Sequence, residues 1–349
     1  MSYTILVGTV GTGVFRSTDG GETFRWTANG VSCNDVIVRG FAADPAAPGH
    51  VLLGTAVFDS GQPSLGTPFG LHQSFNGGES WEPIEAFRGI ECWRIVFDKV
   101  HPGRYYVGTR PAALYRTDDG GKSFTRLDTP FPQVCRGIGL PRITSIVLNP
   151  NDPDFIFVSV EIGGFFLSRD GGTSWREVLS NIPTADLPVP NGNVFGEGSR
   201  HDGHHSILSL GDPDLLVAST PDGSYVSKDY GESWDYFPVL QVFPRQYHHD
   251  LVVKQDDPGT MFYGTGEETA GVHGAMLRTR DRGQTWDSVD FPEACNSPVW
   301  CFAQHPANTD RIIACAHYGM LFRSEDGGAS WTKAPREFTE IRAVCWVPN

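Results

Sequence analysis

Short apolar runs separated by polar turns dominate the chain. Tyr3-Thr4-Ile5-Leu6-Val7, Phe155-Ile156-Phe157-Val158-Ser159-Val160 and Val299-Trp300-Cys301-Phe302 are typical, and turn-forming residues bound them. Runs of this length, rich in β-branched and aromatic residues, predict strands. One stretch shows their order. Ser145-Ile146-Val147-Leu148-Asn149-Pro150 is a strand ending in a polar-Pro turn, the run from Phe155 is a second, Phe165-Phe166-Leu167 a third, and a fourth leaves at Trp175. With 41 Gly and 25 Pro in 349 residues, the chain is too punctuated for a helical protein,. The expected class is all-β.

Between the third and fourth strands one motif recurs seven times,. Ser17-Thr18-Asp19-Gly20-Gly21-Glu22-Thr23-Phe24 is the first copy and Ser324-Glu325-Asp326-Gly327-Gly328-Ala329-Ser330-Trp331 the last, with others starting at Ser74, Thr117, Ser168, Ser227 and Thr279. The pattern is [ST]-x-[DN]-x-G-x-[ST]-[WF]. Its chemistry suits a hairpin turn: the Asp or Asn accepts hydrogen bonds from its own turn, the Gly supplies a positive φ, and the aromatic packs inward. A motif present in every unit is a structural device and does not define a single site.

The copies start 43 to 59 residues apart, the length of four short strands with variable loops,. The first unit lacks its opening strand. Ile341-Arg342-Ala343-Val344-Cys345-Trp346-Val347-Pro348 at the far end is the expected substitute, completing the amino-terminal unit and leaving no free edge,. The prediction is a seven-bladed β-propeller of four-stranded antiparallel blades, a single domain over residues 1–349.

The turn motif resembles the Asp-box, or BNR, repeat of sialidases, xyloglucan-cleaving glycosidases, the sortilin luminal domain and photosystem II assembly factors. The resemblance covers essentially the whole chain and implies the propeller fold; it is shared by enzymes and scaffolds alike. Sialidases usually have six blades opened by Arg-Ile-Pro, whereas the nearest string here is the mid-chain Pro141-Arg142-Ile143-Thr144. Xyloglucan-cleaving enzymes usually pair two propellers, and this chain has length for one. Neither family therefore lends a catalytic residue.

The formal charge is −14, from 27 basic and 41 acidic residues, which argues against nucleic-acid or anionic-membrane partners,. The amino terminus carries no basic and apolar leader pattern, no run reaches the length of a membrane span, and seven irregularly spaced cysteines read as reduced thiols,. The expected location is the cytoplasm.

In a propeller the first strand of each blade lines the central channel. Aligning these strands on their trailing turns brings Arg39, Trp93, Thr144, His204, His249, Trp300 and Arg342 to one level, with Arg94, Arg142 and His205 within two positions. Gathered arginines need partners, solvent or a ligand. Acids such as Asp35, Asp98 and Asp250 are candidate partners; the alternative is an anion receptor, with a carboxylate as the expected anion. Two imidazole doublets, His204-His205 and His248-His249, sit in adjacent blades, led by Arg200-His201 and Arg245-Gln246-Tyr247. They supply groups for proton transfer, His205, His249 and Tyr247. Loops joining second to third strands add Arg110, Glu161, Glu267, Glu268, His317 and Tyr318, and residues 56–68 and 183–203 form long inserts suited to rim the funnel,.

The leading expectation is a propeller that binds an anionic sugar or small carboxylate in its funnel and acts on it as a glycoside hydrolase or lyase. Glu161 and Glu268 would be the carboxylate pair and His205, His249 and Tyr247 the proton-transfer groups. Arg39, Arg94, Arg110, Arg142, Trp300, Arg342 and His317 would bind substrate. No cofactor is expected. The rival is a non-catalytic scaffold docking a protein partner. A third reading is a metal site on His205, His249 and a Glu, ranked last because adjacent arginines oppose a second positive centre.

Overall fold

The computed structural model describes residues 3–27, 29–31, 36–57, 69–135, 139–179, 202–220, 223–237, 247–268 and 271–349. Seven four-stranded antiparallel sheets form a ring. Six of them take consecutive strands. Blade two, for example, runs Val36–Ala43, Val51–Val57, Leu71–Ser74 and Glu82–Pro83. Blade one is completed from the other end of the chain: Ile341–Pro348 is its inner strand and pairs with Tyr3–Thr9, from Tyr3 opposite Pro348 to Thr9 opposite Ile341. Each inner strand also lies against the inner strand of the next blade, so the circle has no open edge,. Among the described residues a single 3₁₀ turn, Glu85–Phe87, is the one helical element, and no helix is long and apolar enough to cross a membrane.

Each repeated box makes the turn between third and fourth strands through the same bonds. In the last copy the Ser324 hydroxyl donates to Asp326 Oδ1 at 2.7 Å and accepts from the Gly328 amide at 2.8 Å. The Ser330 amide and hydroxyl donate to the two Asp326 oxygens at 2.9 and 2.6 Å. Asn76 replaces the carboxylate in blade two without loss of the geometry: its Oδ1 accepts from the Ser80 amide at 3.0 Å, and its Nδ2 donates to the Ser80 hydroxyl at 2.8 Å.

The aromatic that closes each box packs onto the preceding blade. Trp81 joins Leu6 and Val14 of blade one, Trp175 joins Tyr106 and Leu114 of blade three, and Trp331 joins Phe262 and Met276 of blade six. At the closure Phe24 of blade one packs with Ile313 and Leu321 of blade seven. The core is thus a set of inter-blade layers, each needing both neighbours.

The box bonds hold their carboxylates ionised. Those of Asp170, Asp229, Asp281 and Asp326 lie at about 2, below the ordinary 3.8. At Asp170 and Asp281 the following Ser or Thr hydroxyl has the largest influence; at Asp229 and Asp326 partial burial works the other way and the hydrogen bonds outweigh it. Depressed carboxylate pKa values contribute stability that is present above the unfolded value and lost as pH falls through the folded one. Acid unfolding should therefore develop below about pH 4. Because Asn76 shows that an amide serves, the triple variant D170N/D281N/D326N should stay folded at neutral pH and unfold in acid with a shallower pH dependence, read by tryptophan fluorescence.

Candidate functional site

Six of the seven inner strands carry a β-bulge near their start, and the extra residue is in each case one that lines the pore. Pairing skips Arg39 between Val38 and Gly40, Trp93 between Cys92 and Arg94, and Thr144 between Ile143 and Ser145. It likewise skips His249, Trp300 and Arg342. A bulge breaks the strict alternation of a strand and re-aims a side chain. This is how neighbouring residues Trp93 and Arg94 both come to face the channel. Together with Arg142, Glu161, His204 and Tyr247, the bulged residues enclose a cavity of 220 Å³.

Glycines on the second strands give the bulges room. Gly54 pairs with Gly40 beside the Arg39 bulge, and a Cβ there would stand 2.5 Å from the carbonyl oxygen of Cys92, the residue before the next blade's bulge. Gly264 repeats this: its Cβ would lie 2.4 Å from the Val299 carbonyl oxygen, just before Trp300. Gly8 and Gly108 hold the equivalent places, each followed by Thr. This Gly-Thr recurrence is the sequence signal of four of the six bulges; Ser159-Val160 and Cys315-Ala316 stand opposite the other two.

Four guanidinium groups, those of Arg39, Arg94, Arg142 and Arg342, share the cavity wall with one carboxylate, Glu161. Arg142 Nη2 donates to Glu161 Oε1 at 2.6 Å. Arg342 pairs with Glu340 behind it, and Arg94 Nε donates to the Thr144 carbonyl. Two indoles support the cations: Arg39 and Arg142 lie 3.9 and 4.2 Å from the centre of Trp93, and Arg342 4.7 Å from Trp300,. The expected partners are engaged elsewhere, Asp98 with His101 and Arg104, and Asp250 with His205.

The imidazoles divide into distinct roles. His249 stacks on Trp300 with ring centres 3.5 Å apart, and its Nδ1 is 2.7 Å from the Trp300 carbonyl oxygen. A carbonyl only accepts, so Nδ1 carries the proton. Burial, reinforced by the charges of His204 and Arg94, holds the His249 pKa well below 6.5, which leaves a neutral ring with an unprotonated Nε2. For His204 burial also opposes protonation. Asp202, with Oδ2 3.5 Å from Nε2, and the His248 carbonyl, 3.0 Å from Nδ1, outweigh it and raise the pKa. Tyr247 lies between them, 5.5 Å from His204 and 6.2 Å from His249, centre to centre.

Four candidates stand outside the cavity wall. His205 turns between blades and places Nε2 3.1 Å from Asp250 Oδ1; its strand pairs with no bulge, so adjacent His204 and His205 point to opposite faces,. His317 lies behind Trp300, ring centres 4.2 Å apart, with Nε2 2.8 Å from Glu340. Arg110 reaches Glu91 and the Leu140 carbonyl. Glu268 is exposed beyond the second strand of blade six, so the anticipated pair with Glu161 is not assembled at the cavity. The sequence reading missed Glu340, which has no motif and acts by preceding the Arg342 strand. Among the described residues no three His, Cys, Asp or Glu side chains converge as metal ligands. Asp35, Arg200, His201, Arg245, Gln246 and most of both long inserts lie outside the described residues.

A closed ring of seven Asp-box blades around a cationic pore defines a BNR-type β-propeller. The family model Sortilin-Vps10, described as "Sortilin, neurotensin receptor 3", matches residues 70–181 and 223–346, and the chain belongs to that family. A xyloglucanase of Paenibacillus sp is 24% identical over 303 residues, covering 73% of this chain and 28% of that enzyme. The chain spans well under half the length of the curated relatives it matches. Among solved structures, the GH74 xyloglucanase of Xanthomonas campestris superposes with TM-score 0.63 at 16% identity, over 97% of this chain and 51% of that one. YCF48 bound to D1 peptide superposes with TM-score 0.58 at 18% identity, over 93% and 88%.

Two outcomes follow. In histidine NMR titrations His204 should titrate above pH 6.5 and His249 well below it. Gly264→Ala should cost about 1–3 kcal/mol in urea unfolding, because a backbone carbonyl and not a flexible side chain blocks the new methyl, and it should perturb the His249 ring signals through the displaced Trp300.

Proposed function

We propose that the pore binds a small carboxylate-bearing ligand, a sugar acid or similar metabolite, and acts on it as a lyase. The observation that carries this reading is four guanidinium groups facing one carboxylate in a 220 Å³ cavity of a protein with net charge −14. That volume suits a ligand of monosaccharide size better than a polymer. Glycoside hydrolysis by paired carboxylates is less well supported, since Glu161 is committed to Arg142 and no second lining carboxylate accompanies it among the described residues,.

In the lyase reading His249 Nε2 takes the proton from the carbon next to the ligand carboxylate. The electron pair moves into that carboxylate, whose growing charge Arg142 and Arg342 neutralise. It then returns to form a double bond to the next carbon as the C–O bond on that carbon breaks, and the Tyr247 hydroxyl protonates the leaving oxygen. His204, whose pKa Asp202 raises, adds positive charge at the same wall when it is protonated.

The second reading, docking of a protein segment, is favoured by the similarity to YCF48, which matches this chain over nearly its full length and was solved with a bound peptide. Here the guanidinium groups would meet carboxylates of the partner.

Thermal-shift titration with uronates and dicarboxylates tests the site. A ligand at a hundred times its Kd should stabilise the protein by about 2.7 kcal/mol, and the R142Q/R342Q variant should lose the response. His249→Asn should retain binding while turnover falls about 10²–10⁴-fold. If no small carboxylate raises the Tm, or the double variant binds as well as the parent, the receptor reading is wrong. Binding of acidic peptides alone would select the docking reading.

A further inference from the structure

The pore has a second mouth of different character. Four residues beyond Thr144 along the same strand, roughly 13 Å away, Leu148 joins Val96, Leu208 and Val253 in the wall of a cavity of 430 Å³ at the trailing ends of the inner strands of blades three to six. An adjoining cavity of 250 Å³ shares Val96, Lys99 and Gln255 with it.

Most polar groups in that wall are already engaged. Asp98 accepts from the Val100 amide at 2.7 Å and meets His101 Nδ1 at 2.8 Å. Lys254 pairs with Asp256 and, at 3.3 Å, with Asp310. Asn149 Oδ1 accepts from the Asn151 amide at 2.9 Å. Lys99 and Gln255 line both cavities and stand exposed at the shared rim, and among the described residues no carboxylate pairs with Lys99. The adjoining wall lowers the Lys99 pKa by partial desolvation, while the side chain stays open to solvent at the rim,.

We propose that this mouth is a second binding site, taking a monocarboxylate with an apolar body of medium-chain length. The apolar body covers Val96, Leu148, Leu208 and Val253, and the carboxylate accepts from the Lys99 ammonium and the Gln255 amide N–H groups. The site is independent of the cationic cavity at the other end, which has no comparable apolar wall.

Isothermal titration of the whole chain with octanoate tests it, using acetate for charge alone and octanol for the apolar body alone. Octanoate should bind, acetate should not, and octanol should bind more weakly than octanoate. Lys99→Gln should weaken octanoate about tenfold, Lys99→Arg should keep most of the affinity, and Arg142→Gln in the other cavity should leave it unchanged. Leu148→Asn, acting on the wall, should weaken octanoate even if the Lys99 variants fold poorly. Equal octanoate affinity in Lys99→Gln overturns the proposal. So does loss of binding in Arg142→Gln, which would place octanoate in the cationic cavity.

Discussion

The approach of each second strand to the next blade's inner strand is the constraint on which the pore depends. Where Gly54 meets the Cys92 carbonyl and Gly264 that of Val299, no side chain fits. Without that closeness the blades would fan outward at their inner edges, and the bulged residues would not share one space. Pairing of Tyr3–Thr9 with Ile341–Pro348 extends the arrangement around the full circle. The box turns at the outer edge complement it, since their aromatics wedge between blades where the sheets diverge.

Around this frame the molecule gathers like charges that would otherwise repel. Indole faces at Trp93 and Trp300 and the carboxylates Glu161 and Glu340 offset part of that repulsion,. The offset is incomplete by design of the wall: more guanidinium groups than carboxylates line it. The same surroundings split the imidazoles, since His204 has Asp202 beside it and His249 has only the carbonyl of Trp300 and positive neighbours. An acid-side and a base-side ring result from one residue type in adjacent blades.

Much of this is legible in the chain because the repeat supplies its own alignment. Counting back from the polar-Pro turns places Arg39, Trp93, Thr144, His204, His249, Trp300 and Arg342 on one level, and all seven line the cavity. What strand periodicity does not convey is the bulge. Simple alternation cannot say that Trp93 and Arg94 face the same way while His204 and His205 face apart, and it gives no basis for choosing between the members of a doublet. Glu340 and the exposure of Glu268 were illegible for another reason: both depend on how a loop is carried after its strand ends, which local residue choice does not encode.

The box turns lie beside the loops that follow the inner strands, Gly77 against Gly49 and Gly171 against Asp154, so their ionised carboxylates stand at the trailing end of the pore, whereas the four cavity guanidinium groups stand at its leading end. The two sets of charge are therefore separated along the pore axis. The net charge of −14 still surrounds the molecule with a repulsive shell that an incoming anion meets first,. Dissolved salt screens that shell over about 10 Å at 0.1 M and reaches the enclosed cations far less, so moderate ionic strength would hasten capture of a small anion, the opposite of ordinary electrostatic steering.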